Sequence, residues 1–349
     1  MTAALRFDSV RALLVDGIES RAFPGAVVEA GNQGDTIWRA CAGRFTYEHD
    51  APAVVDDTLF DLASLTKVIA TTTLAMRLVE ARRLSLADRV SAYVRDWDDP
   101  DRRHVTVRDL LEHCSGLPAW APLYLLSTGR AQFEREIARA PLEYPPWTRS
   151  DYSDLGFMLL GFVVEDAGGK PLARQFASLG SSSLIFTPDA TLQSRTAPTE
   201  YDAGRGRLLR GEVHDENARA LGGVAGHAGL FGNAASVGAF ARLVLRTYAT
   251  ETTLARPDTL RRFVTRSTVP GSSRALGWDT MLPTSSCGSL LSPRAIGHTG
   301  FTGTSLWIDP GRDLYIVLLT NRVHPNRENL EGLRRLRPAV HDAIVRAVS

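Results

Sequence analysis

Lysine is almost missing from this chain. Of its 40 basic residues, only Lys67 and Lys170 are lysine. A sequence that uses arginine wherever positive charge is needed has little electrostatic reason to put a lysine in the apolar, threonine-rich run DLASLTKVIATTT, residues 61–73. Arginine keeps its proton in proteins, whereas a desolvated lysine can release it. Either Lys67 snorkels out of a core helix, or the protein needs a group there that titrates. Other scarcities narrow the field. Cys41, Cys114 and Cys287 are odd in number and far apart, which excludes a disulfide framework and a C-x-x-C metal or redox pair. The net charge of +1 offers nothing to nucleic acid or an anionic membrane. No apolar run approaches the ~20 residues of a membrane span. The opening MTAALRFDSVRALLVDGIES is broken by Asp8, Asp16 and Glu19 and has no basic segment leading into an apolar core. It does not read as a signal peptide, so the expected compartment is cytoplasmic. No G-x-S-x-G occurs, which argues against an α/β-hydrolase elbow.

What is present is ordinary in amount: 349 residues, 44% hydrophobic and 23% charged, comfortable for two domains. SVRALLVDGIES has apolar residues at helical spacing. AVVEA (26–30) and TIWRACA (36–42) read as strands around the turn Asn32–Asp35. A helix-rich middle follows. SLADRVSAYV puts Leu86, Val90 and Val94 on one helical face, and TVRDLLEHCSGLP starts at a Thr106 cap and stops at Gly116 and Pro118. GRAQFEREIARA, DLGFMLLGFVVEDAG and ASVGAFARLVLRTYA, the last behind an Asn233 cap, also read as helices. Residues 186–211 are polar and irregular, as in a long surface loop. SLWID and LYIVLLTN flank the turn Pro310–Arg312 as a hairpin, and the unbroken run Leu314–Leu319 predicts a strand covered on both faces. Pro338 is expected to begin a new helix at its first turn. One economical arrangement joins residues 1–62 and 262–349 into a mixed domain with a single antiparallel sheet flanked by helices. The residues between, 63–261, form an inserted all-helical domain, and the active site lies at the interface.

Ser64 and Lys67 form an S-x-x-K pair, which on a helix lies on one face, a turn apart. A serine hydroxyl attacks a carbonyl only when something takes its proton, and a neutral lysine can do so or tune another base. At a helix start the Ser64 N–H is also free for an oxyanion. Alone, the motif leaves structural and chemical readings open. Two further motifs follow in order: Tyr152-Ser153-Asp154 and His298-Thr299-Gly300, with the flanks LFDLASLTK, VRDLLEHCSGLP, YSDLGFMLLG, AGHAGLFG and GHTGFTGTSLWIDP.

From about residue 20 to 325, this sequence resembles the penicillin-recognising serine hydrolases of the class C beta-lactamase group, whose relatives include DD-peptidases, D-aminopeptidases and carboxylesterases. That resemblance implies the beta-lactamase/transpeptidase-like α/β (α+β) fold. It implies Ser64 as acylated nucleophile, with Lys67 and Tyr152 sharing proton transfer and a lowered Tyr152 pKa. The oxyanion hole would be the backbone N–H groups of Ser64 and Phe301, with Thr299 and Gly300 on the strand where substrate docks. Two positions depart from the family pattern. Asp154 stands where the pattern has asparagine. An ionised aspartate only accepts hydrogen bonds, favours an ammonium on Lys67, and so shifts the base towards Tyr152. His298 stands in place of lysine and holds a substrate carboxylate less firmly. Both changes argue against an efficient beta-lactamase. Peptidase or amidase action on D-amino-acid or muropeptide-like compounds is expected, with small-ester hydrolysis as the alternative, true beta-lactamase activity behind both, and a non-catalytic binding protein last. The partner is a small-molecule substrate. No cofactor or metal is expected, and the oligomeric state is open.

Other candidates read as structural. His214, Asp215 and Glu216 in GEVHDENA lack metal-ligand spacing and suit a loop bordering the pocket. His227 reads as a packed loop histidine, Ser115 as a helix-end residue, His104 and His113 as structural or exposed, and the arginines of GLRRLRP as a solvated helix face.

Overall fold

A computed structural model describes residues 5–180 and 183–349. Along the chain run α1 (Asp8–Glu19), β1 (Gly25–Gly31), β2 (Thr36–Gly43), β3 (Phe60–Asp61), α2 (Thr73–Glu80), α3 (Val107–Leu111), α4 (Gly129–Arg139), α5 (Asp154–Gly168) and α6 (Leu172–Ala177). They are followed by β4 (Ile185–Phe186), α7 (Ala190–Gln193), β5 (Tyr201–Asp202), β6 (Arg207–Leu208), α8 (Glu216–Ala220), β7 (Leu230–Gly232) and α9 (Ala234–Ala249). The chain closes with α10 (Pro257–Val264), β8 (Asp279–Thr280), β9 (Ile296–Thr299), β10 (Ser305–Asp309), β11 (Leu314–Thr320) and α11 (Glu331–Val348).

The first and last strands share one antiparallel sheet in the order β2-β1-β11-β10-β9-β8. β1 and β11 are buried throughout. Their period of two splits the apolar run between two cores. Val27, Val317, Leu319, Leu306 and Ile308 face α9 and the helical middle, packing with Val237, Val244, Phe157 and Leu160. Val28, Ile316, Leu318 and Trp307 pack with α1 and α11 through Val10, Leu14, Leu336 and Ile344. The middle also carries two small sheets, β3-β7-β4 and β5-β6. The first matters for function because β3 leads directly into Ser64. Among the described residues no helix is long and apolar enough to cross a membrane.

Three local expectations are corrected. Leu86, Val90 and Val94 are buried, but the only helix there is the single turn Val90–Ala92. The carbonyls of Leu86 and Asp88 accept Arg108 and Val107 N–H, so docking against α3 replaces helical bonding. Pro338 lies inside α11 rather than at its start. The helix gives up one hydrogen bond, and Leu333, Leu336, Val340 and Ile344, buried in one core on both sides of the proline, hold it continuous. The 186–211 stretch is not all surface: Thr196, Ala197, Thr199 and Leu209 are buried, and Asn321 donates to Pro198 O at 3.0 Å.

Candidate active site

Ser64 is set by the turn before it. Asp61 is fully buried, and its two carboxylate oxygens accept Ala63 N at 2.8 Å and His214 N at 2.7 Å. Ala63 is held at φ +47°, an uncommon conformation for a non-glycine residue. The chain turns there, enters a helix at Leu65, and runs π-helical from Lys67 to Thr72, a distortion found often at functional sites. Lys67 is fully buried and does not snorkel. Its Nζ donates to Asp154 Oδ1 at 2.6 Å, Ser64 Oγ at 3.0 Å and His227 O at 3.0 Å. The His227 carbonyl reaches Lys67 because Gly226 lets its loop lie on α5. A β-carbon at Gly226 would overlap Phe157 O and stand 2.9 Å from Gly161 Cα.

The second motif reaches Ser64 through its cap. Ser153 caps α5, accepting Gly156 N at 3.0 Å and donating to Pro118 O at 2.7 Å. Tyr152 therefore precedes the helix and Asp154 is its first residue. His113, buried, accepts Ser153 N at 3.0 Å and packs its ring 4.9 Å from those of Tyr152 and Phe157. Tyr152 Oη lies 2.7 Å from Ser64 Oγ and 2.9 Å from Asp154 Oδ1. Ser64, Tyr152, Asp154 and Lys67 thus close a four-membered ring of hydrogen bonds.

Burial and the Asp154 carboxylate push the Tyr152 hydroxyl well above its ordinary value near 10, the reverse of the expected lowering. Asp154 pulls Lys67 upward as anticipated, but burial outweighs it and the net direction is down. Burial, helped by Arg274 and Lys67, pushes His298 well below its ordinary value near 6.5, so the third motif carries a neutral imidazole at neutral pH. His298 lies on β9, buried, with Nδ1 2.8 Å from Thr299 O.

Gly300 packs against Leu62 and Ala63, the residues just before Ser64, and the turn after it is tied down twice. Thr302 Oγ1 donates to Asp61 O at 2.7 Å and Thr304 Oγ1 to Leu62 O at 3.0 Å. Arg322 adds a clamp through its guanidinium on Phe301 O. Among the described residues, neither Ser64 N–H nor Phe301 N–H finds a protein acceptor. They are available to a developing oxyanion.

Ser64, Tyr152, Asp154, His298, Thr299, Gly300 and Phe301 all line one cavity of about 680 Å³. His214, Asp215 and Glu216 line it too, as a bordering loop should, and no metal-ligand cluster occurs among the described residues. Three groups escaped sequence reasoning: Asp61 at the turn, Arg274 over the Tyr152 ring at 5.4 Å, and Arg322, while His113, read as structural or exposed, is buried behind Tyr152. Asp61 sits inside the flank LFDLASLTK, which was its one available signal. The solvated-face reading of GLRRLRP fails at Arg337, which is buried and donates to Thr304 O at 3.3 Å. A helical repeat cannot reveal that the loop after β9 covers that position.

Buried neutral histidines give a pH prediction. His341 is held at about 3, chiefly by burial and secondarily by Arg337. Unfolded histidine takes its proton near 6.5. The unfolded chain therefore binds protons that the native one refuses, and stability is full above about 6.5 and lost as pH falls towards about 3. Each such histidine costs about 1.4 kcal/mol per pH unit inside that window. His113 and His298, also depressed, act in the same direction from 6.5 downward. Urea unfolding between pH 7 and 4 should show the decline, and His341→Gln should flatten it. An unchanged slope would assign the decline to other groups.

Comparison with known proteins gives a consistent picture. Residues 10–341 match the family model described as Beta-lactamase. A putative D-alanyl-D-alanine carboxypeptidase of Escherichia coli K12 is 35% identical over 307 residues, 76% of this chain and 70% of that protein. An N-acetylmuramyl-L-alanine amidase of Bacillus subtilis 168 is 32% identical over 347 residues, 86% of this chain and 78% of its own. The solved structure of EstCE1, a hydrolase with promiscuous acyltransferase activity, superposes with a TM-score of 0.77 at 23% identity, covering 98% of this chain and 99% of its own. At that identity it bears on the fold alone.

Proposed function

We propose that this chain, which belongs to the beta-lactamase family and is a serine hydrolase, cleaves amide bonds of small muropeptide-like or D-amino-acid compounds through an acyl-enzyme on Ser64. One observation carries the reading: Ser64 Oγ sits within hydrogen-bond distance of both Tyr152 Oη and Lys67 Nζ, at the edge of a cavity. A binding protein needs no such ring around a serine. Ser64 attacks the carbonyl carbon, the Ser64 and Phe301 N–H groups hold the oxyanion, and Thr299 and Gly300 line the docking strand. The amide preference draws support from the carboxypeptidase and amidase named above, both more than 30% identical. Ester cleavage is the second reading. It is favoured by the neutral His298, which offers no cation to a substrate carboxylate. Beta-lactams rank third because Asp154 has no N–H to donate to their side-chain amide.

The test is a time course of intact protein mass with a penicillin and with a chromogenic acyl ester, on wild type and Ser64→Ala. A mass increase equal to the acyl group, present only with Ser64, is the expected result. Its lifetime separates slow peptidase-like deacylation from lactamase turnover. Wild type and mutant equally inert to both probes would reject the reading and leave a binding protein.

A further inference from the structure

With Lys67 as an ammonium and Asp154 as a carboxylate, the ring around Ser64 has one consistent assignment of hydrogens. Lys67 as an ammonium has three N–H donors, and three acceptors surround it: Asp154 Oδ1, Ser64 Oγ and His227 O. All three donors are used, and no lone pair faces Ser64. If the proton between Lys67 and Asp154 moves to the carboxylate, the lone pair created faces Asp154, and Lys67 still donates towards Ser64. Tyr152 has a single O–H and two partners, Ser64 Oγ at 2.7 Å and Asp154 Oδ1 at 2.9 Å. An ionised carboxylate can only accept, so the phenol hydrogen points to Asp154. The serine hydrogen then has one acceptor left in the ring, Tyr152 Oη. Both distances lie in the normal range for O–H···O bonds.

We propose that Asp154 is the terminal proton acceptor of the reaction, reached from Ser64 through Tyr152, and that Lys67 acts throughout as a fixed cation. The proposal rests on the acyl-enzyme reading above. In acylation the Ser64 Oγ–H bond breaks as the bond from Oγ to the carbonyl carbon forms. That proton passes to Tyr152 Oη, while the proton already on Oη passes to Asp154 Oδ1. The carbonyl electron pair moves onto oxygen and is held by the Ser64 and Phe301 N–H groups. When the tetrahedral adduct collapses, the bond to the leaving nitrogen or oxygen breaks. Asp154 returns its proton to Tyr152, whose former proton goes to the leaving atom. Water repeats the sequence in deacylation.

The arrangement accounts for two facts together. Tyr152 is the bridge and not the final base, which fits a hydroxyl pushed up rather than down. Lys67 is buried against a carboxylate and cannot be replaced by bulk water as a counter-charge. Its ammonium stays 3.0 Å from Ser64 Oγ while negative charge moves from Asp154 to the oxyanion. An asparagine at 154 would accept from Lys67 and Tyr152 with the same shape but could not take a proton. Only one proton transfer, from Ser64 to a phenolate or an amine, would then remain.

The experiment is a proton inventory of the acylation step in mixtures of light and heavy water, on wild type and Asp154→Asn, with acyl-enzyme formation followed by mass. Thermal melts establish that the isosteric variant is folded. Wild type should give a bowed, two-proton plot. Asp154→Asn should lose about 10²-fold in acylation rate and give a straight, one-proton plot. A straight plot for wild type overturns the relay without reference to any variant. So does a bowed plot retained in Asp154→Asn at a rate within about threefold of wild type. In both cases acylation of Ser64 still stands. No acyl-enzyme on wild-type Ser64 with any probe removes the acyl-enzyme reading itself.

Discussion

Tyr152→Phe is expected to lower the acylation rate by about 10³-fold at neutral pH, with KM changed far less. The phenylalanine keeps the ring that packs on His113 and removes one atom, Oη. In the proposed relay that atom accepts the Ser64 hydrogen, 2.7 Å away, and donates to Asp154. Without it Ser64 Oγ faces only the Lys67 ammonium, which donates and cannot accept. The fold should lose only about 1 kcal/mol, the worth of an ordinary hydrogen bond. Single-turnover kinetics with a chromogenic ester separate this chemical loss from binding. Tyr152→Phe should also lose more than Asp154→Asn, because the first removes the bridge and the second only its far end. The reverse order in kcat/KM would refute the bridging role.

Gly300→Ala should be nearly as damaging, with kcat falling about 10²- to 10³-fold. The reason is space and not backbone freedom, since Gly300 does not adopt a positive φ. A β-carbon there would overlap Thr304 Oγ1, stand 2.7 Å from Leu62 O and 3.3 Å from Ala63 Cβ. Two of these belong to the segment that delivers Ser64, and the third is the hydroxyl that ties the turn to it. Either the Phe301 N–H or the Ser64 N–H must move, which would disrupt the proposed oxyanion site. Steady-state kinetics should show the loss in kcat with KM little affected, because the contact forms as charge develops. A melting temperature near that of wild type would show that only the local geometry changed. A kcat within about threefold of wild type would mean that the two N–H groups do not form the oxyanion site.

The sequence determined a good deal by itself. Unbroken apolar runs specified β1, β10 and β11, because a sheet buried on both faces leaves its strands nothing else to be, and alternation specified the half-buried edge strand β2. Asn233 and Thr106 announced the starts of α9 and α3. The S-x-x-K spacing, the scarcity of lysine and the three ordered motifs named buried Lys67 and the motif residues that line the cavity. These are local properties, fixed by spacing along a few turns of chain.

Only the tertiary structure decided how those residues act. Tyr152 reaches Ser64 and Asp154 reaches Lys67 across some ninety residues of sequence, and their contacts depend on Ser153 capping α5 and on His113 beneath the ring. Whether Asp154 raises or Lys67's burial lowers the ammonium's pKa is a contest between a 2.6 Å contact and complete desolvation, and burial cannot be read from spacing. Arg337 looked solvated until the loop after β9 covered it, and Pro338 looked like a helix start until two halves of one core held the helix together across it. In each case the deciding term is a long-range contact, and long-range contacts exist only after the chain has folded.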